Sequence, residues 1–381
     1  MKKKIQTIIL ILLVLFPSKL FAEEKIKIGL LIPLSGSNGD IGTSILRSVI
    51  LAVNKIDDKN IIIYPRNNFD DPKKTYDEAK DLYDSGVRIF IGPVFQKNTN
   101  NLNGLDDAVF LSFTNRIINK KNNVISAGVN ANSQLNAINK FIELEGLKKT
   151  ICLIPKDGHR KEIESAIKDS KIKFKKTFYY DTEPTKLTKR IEKITNYSLR
   201  KQNLDDEIKR VENSDDPNKE KKIEALMKKD TIGKVNFDSI VISDFDETLK
   251  SITTSLIYTD VTPKKIYFIT LNQWFDDSLL NEASSQNLYF PSINKNNYDE
   301  FKNLYYKNYD SYPNQVSFLS YDLIGLIYFL TNKGETKQNL KIFEKKNVFK
   351  GKTGIFEIEN KTIKHVLNFY KIENNKFKKI F

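Results

Sequence analysis

Short β-branched, apolar runs alternate along this chain with longer segments whose apolar residues recur at helical spacing, and few folds accommodate that order. Lys25 to Ile32 (KIKIGLLI) reads as a strand, followed by a Gly- and Ser-rich loop from Ser35 to Gly42. Ile41 to Ile56 sets Ile45, Val49, Ala52, Val53 and Ile56 on one helical face. Ile61 to Tyr64 is a second strand, and Asp70-Asp71-Pro72 starts a helix carried by Lys74 to Ser85. Arg88 to Ile91 is a third strand, closed by Gly92-Pro93, and Val109 to Ser112 a fourth. A repeated β-α-β order requires parallel strands with helices on both faces of the sheet. Ligands of such sheets bind at the carboxyl ends of the strands. Here those ends are Pro33 to Gly39, Gly92 to Gln96 and Ser112 to Asn115.

A second unit of the same kind follows. Thr150 to Ile154, Lys173 to Tyr180, Ser239 to Ser243 and Ile266 to Leu271 read as strands, with helices from Arg160 to Ser170 and from Asp246 to Tyr258. Between Leu187 and Gly233 the chain is highly charged, with apolar residues at helical spacing and a break at Ser214-Asp215-Asp216-Pro217. That segment predicts a protruding pair of helices, either a solvated extension or a docking element. The expected fold class is therefore α/β: two doubly wound parallel-sheet lobes with a charged helical hairpin inserted in the second.

The amino terminus carries an export pattern. Lys2, Lys3 and Lys4 precede an apolar run from Ile8 to Phe16, and Ala22 stands before Glu23 and Glu24. Residues 1–22 thus read as a cleaved signal peptide, with a mature chain starting near Glu23 and a periplasmic destination. A plain membrane anchor is the competing reading. No later stretch reaches the roughly 18 uninterrupted apolar residues of a spanning helix, so no membrane span is expected after the leader. The formal net charge is +14 and four of the lysines precede Glu23, leaving +10. The lysines are spread through the chain rather than clustered with aromatics, which points to composition and not to a nucleic-acid partner. The single cysteine, Cys152, lies in an apolar run and reads as a small buried hydrophobe.

Three segments carry a family resemblance. "IKIGLLIPLSGSNGDIGTSILRSVILAVNKI", "DDPKKTYDEAKDLYDSGVRIFIGPV" and "FKGKTGIFEIENKTIKHVLNFYKIENNKF", in that order and spacing, resemble the type I periplasmic-binding-protein superfamily, which includes the leucine-binding proteins. The resemblance implies two lobes joined by three crossovers, near Val124 to Asn130, Leu271 to Trp274 and Leu340 to Phe349. The implied division is 23–126 plus 272–340 for the first lobe and 127–271 plus 341–381 for the second, which holds the insertion at 187–233. "FDSIVISDFDETLKSITTSLIYTDVTPKKIYFITLNQWFDD" is similar to the penicillin-binding-protein activators within that superfamily. Two functions follow as expectations: an envelope regulator acting on a peptidoglycan synthase, or the ligand-binding component of an ABC importer working with a permease.

The resemblance also implies a ligand site for a small polar, amino-acid-like molecule. The matching positions are Ser35, Gln96 (or Lys97), Ser112, Thr114 and Asn115 on one side, with Asp157, Asn272 and Gln273 opposite. An amide, Asn272 or Gln273, stands where an acid is expected to meet an ammonium, so a charge-assisted hydrogen bond would be lost there. Trp274, the lone tryptophan, reads either as a stacking platform or as a core anchor. Catalytic, metal and cofactor sites are not expected. His159 and His365 have no neighbouring metal ligands in sequence, and Gly351-Lys352-Thr353 lacks the leading glycine of a phosphate loop, Lys346 standing in its place.

Overall fold

The computed structural model describes residues 25–116, 123–333 and 340–381. The leader read at residues 1–22 lies outside the described residues. Strands β1 (Ile26–Ile32), β2 (Ile61–Asn67), β3 (Ile89–Ile91), β4 (Val109–Ser112) and β5 (Val124–Ser126) form one parallel sheet in the order β2-β1-β3-β4-β5. Helices α1 (Gly39–Ile56) and α2 (Pro72–Asp84) are its crossovers. The Asp71 carboxylate accepts the Lys74 N–H and Pro72 occupies the first turn, so α2 starts where the sequence signal places it. Every residue of β3 and β4 is buried, as a parallel sheet covered on both faces demands.

The chain then enters a second sheet. Helix α3 (Ala131–Leu144) leads to β6 (Thr150–Pro155), α4 (Arg160–Asp169), β7 (Lys176–Tyr180) and α5 (Pro184–Thr195). After α6 (Tyr197–Glu212) and α7 (Lys219–Met227) come β8 (Ser239–Ile242), α8 (Asp246–Tyr258), β9 (Tyr267–Thr270) and β10 (Leu288–Ser292). Cys152 is fully buried in β6, and desolvation pushes its thiol up to about 12.

Helices α9 (Lys295–Tyr309) and α10 (Gln315–Lys333) return to the first lobe, where Tyr309 donates its hydroxyl to the Arg47 carbonyl of α1 and Asn314 donates its N–H to Ser44. A small antiparallel sheet of β11 (Asn347–Lys350), β12 (Ile355–Glu359) and β13 (Thr362–Val366) follows. Strands β14 (Asn368–Glu373) and β15 (Lys376–Lys379) complete the second sheet, whose order is β15-β14-β10-β9-β8-β6-β7.

Two boundaries differ from those read in the sequence. Residues 272–292 belong with the second lobe, because β10 pairs in parallel with β9 and antiparallel with β14. The second crossover therefore follows Ser292 rather than falling at Leu271 to Trp274. The short strand LYFPS carries a proline and no periodicity that separates it from loop, which hides it from sequence reading. The insertion also starts later than Leu187. Helix α5 buries Leu187 and Ile191 and meets α8 through Thr188 and Ser255, as an ordinary crossover helix does. Only α6 and α7 form the extension, broken at the expected Ser214 to Pro217. Its base is held by Arg200, which is 5% exposed and donates to the Thr195 carbonyl, Thr231 Oγ1 and the Thr259 carbonyl.

The small sheet sits between the lobes and touches both. From α10, the buried Asp322 carboxylate accepts the Lys352 and Thr353 N–H groups at 2.7 and 2.6 Å, and the Thr353 hydroxyl as well. The Gly351-Lys352-Thr353 turn thus spends its N–H groups on the protein's own carboxylate. On the other side, His365 of β13 donates its backbone N–H to Ser133 of α3, and its Nε2 lies 2.9 Å from the Ala127 carbonyl in the first crossover. Burial holds the imidazole down to about 4, against 6.5 ordinarily.

A pH dependence follows with a definite sign. The unfolded chain binds a proton at His365 more readily than the folded one, so this group's stabilisation is complete above pH 6.5 and is lost as pH falls toward 4. The full loss is about 3 kcal/mol. Urea unfolding between pH 7 and 4 should show it, and His365→Gln, which keeps a donor for the Ala127 carbonyl, should flatten the acid limb.

Candidate functional site

A cavity of about 700 Å³ opens between the lobes, within the range of small-molecule sites. Its first-lobe wall is built by the loops after β3 and β4, with Val94 to Lys97, Thr99, Asn100 and Phe113 to Arg116, and by Val316 and Leu319 of α10. Its second-lobe wall is Phe245 after β8, Asn272 and Trp274 after β9, and Gln134 of α3. Gly128 and Val129 of the first crossover close the back. A β-carbon at Gly128 would come within 2.5 Å of the Phe113 carbonyl oxygen, so only glycine lets the crossover lie against the end of β4.

Five of the nine residues read as ligand-binding line this cavity: Gln96, Thr114, Asn115, Asn272 and Trp274. Four do not. Ser112 is fully buried, donating its hydroxyl to the Pro93 carbonyl and accepting the Thr114 N–H. Gln273 turns inward and spends its amide on the carbonyls of Asp244 and Leu271 and on Thr270 Oγ1. Ser35 accepts from Asn67 Nδ2 at the β1–β2 side, and Asp157 lies exposed in the turn after β6. The reason is shared by the last two: the cavity lies on the crossover side of both sheets, against β3, β4, β8 and β9, while β1 and β6 end one strand farther out.

Asn272 is the organising residue of the floor. Its N–H donates to Gln134 Oε1 at 2.9 Å, and its Oδ1 accepts the Trp274 N–H at 3.0 Å and the Ser292 hydroxyl at 2.8 Å. The acceptor role toward a backbone N–H fixes the amide orientation. Its Nδ2 is enclosed with no hydrogen-bond partner. Trp274 and Phe275 both hold left-handed backbone, with φ of 49° and 58°, which costs about 1–3 kcal/mol per non-glycine residue. Phe275 is buried edge-on against Tyr370 and Phe377 and anchors the turn. Trp274, half-buried, is left facing the cavity.

Sequence reading singled out Lys97 as the alternative to Gln96 but neither the phenylalanine rings of the wall nor Arg116. Phe113 follows β4 directly, and Phe95 and Phe245 lie in the loops just after β3 and β8, so the same strand-end rule reaches them once aromatics are counted beside polar donors. Arg116 is placed by tertiary contacts: its Nη1 donates to Gln96 Oε1 at 2.9 Å, and its Nε lies 3.1 Å from Glu162 Oε1 on α4. That ion pair joins the two lobes. Lys97 is held 2.9 Å from Asp70. Among the described residues no group of His, Cys, Asp and Glu side chains is arranged to hold a metal ion, and no helix is long and apolar enough to cross a membrane.

No family model and no curated protein matches the chain. Solved structures do. A putative branched-chain amino acid ABC transporter protein from Rhodospirillum rubrum superimposes with a TM-score of 0.69 at 12% identity, covering 93% of this chain and 100% of that one. The C-domain of LpoA from Haemophilus influenzae, a regulator of PBP1A, gives 0.63 at 13% identity, over 93% and 100%. The branched-chain amino acid substrate-binding protein LivJ from Streptococcus pneumoniae, in complex with isoleucine, gives 0.56 at 16% identity, over 94% and 99%. The two-lobed type I periplasmic-binding-protein fold is thereby established for this chain; at these identities the likeness is one of fold.

The role of Asn272 is testable through the lone tryptophan. Asn272→Ala removes the acceptor that holds the Trp274 turn and leaves buried donors unmatched, which costs about 1–3 kcal/mol. Trp274 emission should move to longer wavelength as the indole gains solvent. Unchanged emission would show that Phe275 alone fixes the turn.

Proposed function

We propose that this type I periplasmic-binding-protein fold serves ligand capture: a non-enzymatic, exported binding protein that takes up a small molecule between its lobes and presents it to a membrane permease. The interlobe cavity is the observation that supports this reading. It is large enough for a small ligand, it is walled by four aromatic rings and a few convergent polar groups, and it adjoins the crossovers about which lobes of this kind hinge. The neighbours of the same fold include binding proteins for branched-chain amino acids and one in complex with 3,4-dihydroxybenzoic acid, which fits the reading without identifying the ligand. Among the described residues no histidine, cysteine or carboxylate lines the cavity.

A second reading, an envelope regulator acting on a peptidoglycan synthase, is favoured by one observation. The α6–α7 extension projects from the second lobe, α7 buries none of its residues, and Leu199 and Met227 are 56% and 67% exposed. Such a surface suits a protein partner. The fold neighbour LpoA, itself a regulator of PBP1A, fits this reading.

Intrinsic fluorescence separates the two. Trp274 is the only tryptophan and stands on the cavity wall, so any ligand seated there changes its emission. A library of amino acids, organic acids and peptidoglycan fragments, titrated into the purified protein, should contain a compound that shifts the emission saturably and raises the unfolding midpoint. At 100 times its dissociation constant such a ligand adds about 2.7 kcal/mol of stability. A flat response to the whole library, with retention of a peptidoglycan synthase that is lost when the α6–α7 extension is deleted, would instead support the regulator.

A further inference from the structure

We infer that the cleft selects a carboxylate bearing an aromatic ring and lacking an ammonium group, an inference that rests on the ligand-capture reading. The charge of the wall is its first support. Among the described residues the ionisable side chains on the cavity wall are Lys97 and Arg116, both cationic. Their partner acids, Asp70 and Glu162, lie off the wall. An entering carboxylate meets the guanidinium, whereas an entering ammonium meets two like charges and no carboxylate. At the end of β9, the wall residues are the amide Asn272 and the indole of Trp274, neither of which carries the negative charge an ammonium needs. An amino-acid zwitterion would therefore be half matched, its cationic end desolvated without a counter-charge.

Geometry supplies the second support. Arg116 presents a planar fork of five donors. Its Nη1 is steadied by Gln96 Oε1 and its Nε by Glu162 across the cleft, which orients the side chain at the end of β4. A carboxylate suits this fork better than any neutral group of the same shape. The rest of the wall is aromatic: Phe95 and Phe113 from the first lobe face the cavity with Phe245 and Trp274 from the second. Rings on both sides favour a flat aromatic body by offset stacking and edge contacts. The left-handed turn at Trp274, tied by Asn272 and anchored by Phe275, spends conformational strain on presenting an indole to this space.

Calorimetry with three probes of one skeleton tests the ligand class: 3-phenylpropionate, its neutral amide and phenylalanine. The acid should bind about ten-fold tighter than the amide and about ten-fold tighter than phenylalanine, because the charge-assisted contact is lost in one and the ammonium is unpaired in the other. Arg116→Gln should reduce the acid-over-amide ratio to about three-fold or less while leaving amide affinity in place. Glu162→Gln breaks the same lobe-to-lobe pair but keeps the guanidinium, so the ratio should survive; a ratio lost equally in both variants would assign Arg116 to lobe closure alone and overturn the inference. Phenylalanine binding as tightly as the acid would also overturn it, while leaving ligand capture intact. Failure of all three probes to bind overturns the ligand class, and the library titration of Trp274 then shows whether ligand capture falls with it.

Discussion

Everything in this molecule is arranged around the one side on which the lobes are joined. The chain passes between them after β5, after β10 and through the β11–β13 sheet, and hydrogen bonds bind these passages to one another. His365 grips the Ala127 carbonyl of the first passage, and Asp322 reaches from α10 to the Lys352–Thr353 turn of the third. A buried neutral imidazole and a fully satisfied buried carboxylate are demanding to enclose, and each loses its value if its partner moves. The junction is therefore stiff in its own packing, while the half-buried Arg116–Glu162 pair ties the lobes across the cleft. Solvent-accessible ion pairs are weak, on the order of 0.2–1 kcal/mol, so the lobes are fastened more firmly by the hydrogen bonds at the crossovers than by this contact.

That asymmetry explains where the site lies. Both sheets direct the ends of their parallel strands toward the gap, and the loops after β3, β4, β8 and β9 reach the enclosed space together with the first crossover after β5. Of these, β4 lies beside β5, which leads into the first crossover, and β9 beside β10, which leads into the second. Ser35 and Asp157 follow strands that obey the same rule of local structure, but they stand farther from the junction and face solvent.

The sequence was legible wherever local pattern decides structure. The β-α-β order, the start of α2 at Asp71-Pro72, the break at Ser214 to Pro217 and the buried strand around Cys152 all follow from periodicity and turn chemistry, and the structure shows each of them. What could not be read was set by tertiary pairing. LYFPS becomes β10 only because β9 and β14 flank it. Ser112 and Gln273 have the chemistry of ligand donors, yet the backbone carbonyls around them claim that capacity first. Arg116 gained its place from Gln96 and from Glu162 on the opposite lobe, a pairing no single segment encodes.

The proposed ligand site is the crossover-side cavity, its aromatic and cationic walls acting together. A crystal structure of the protein grown with saturating 3-phenylpropionate tests this most directly. The account predicts the ring against Trp274, with Phe95 or Phe245 on its other face, and the carboxylate on the Arg116 guanidinium. An empty cavity at saturation, or the acid bound elsewhere on the surface, would contradict it.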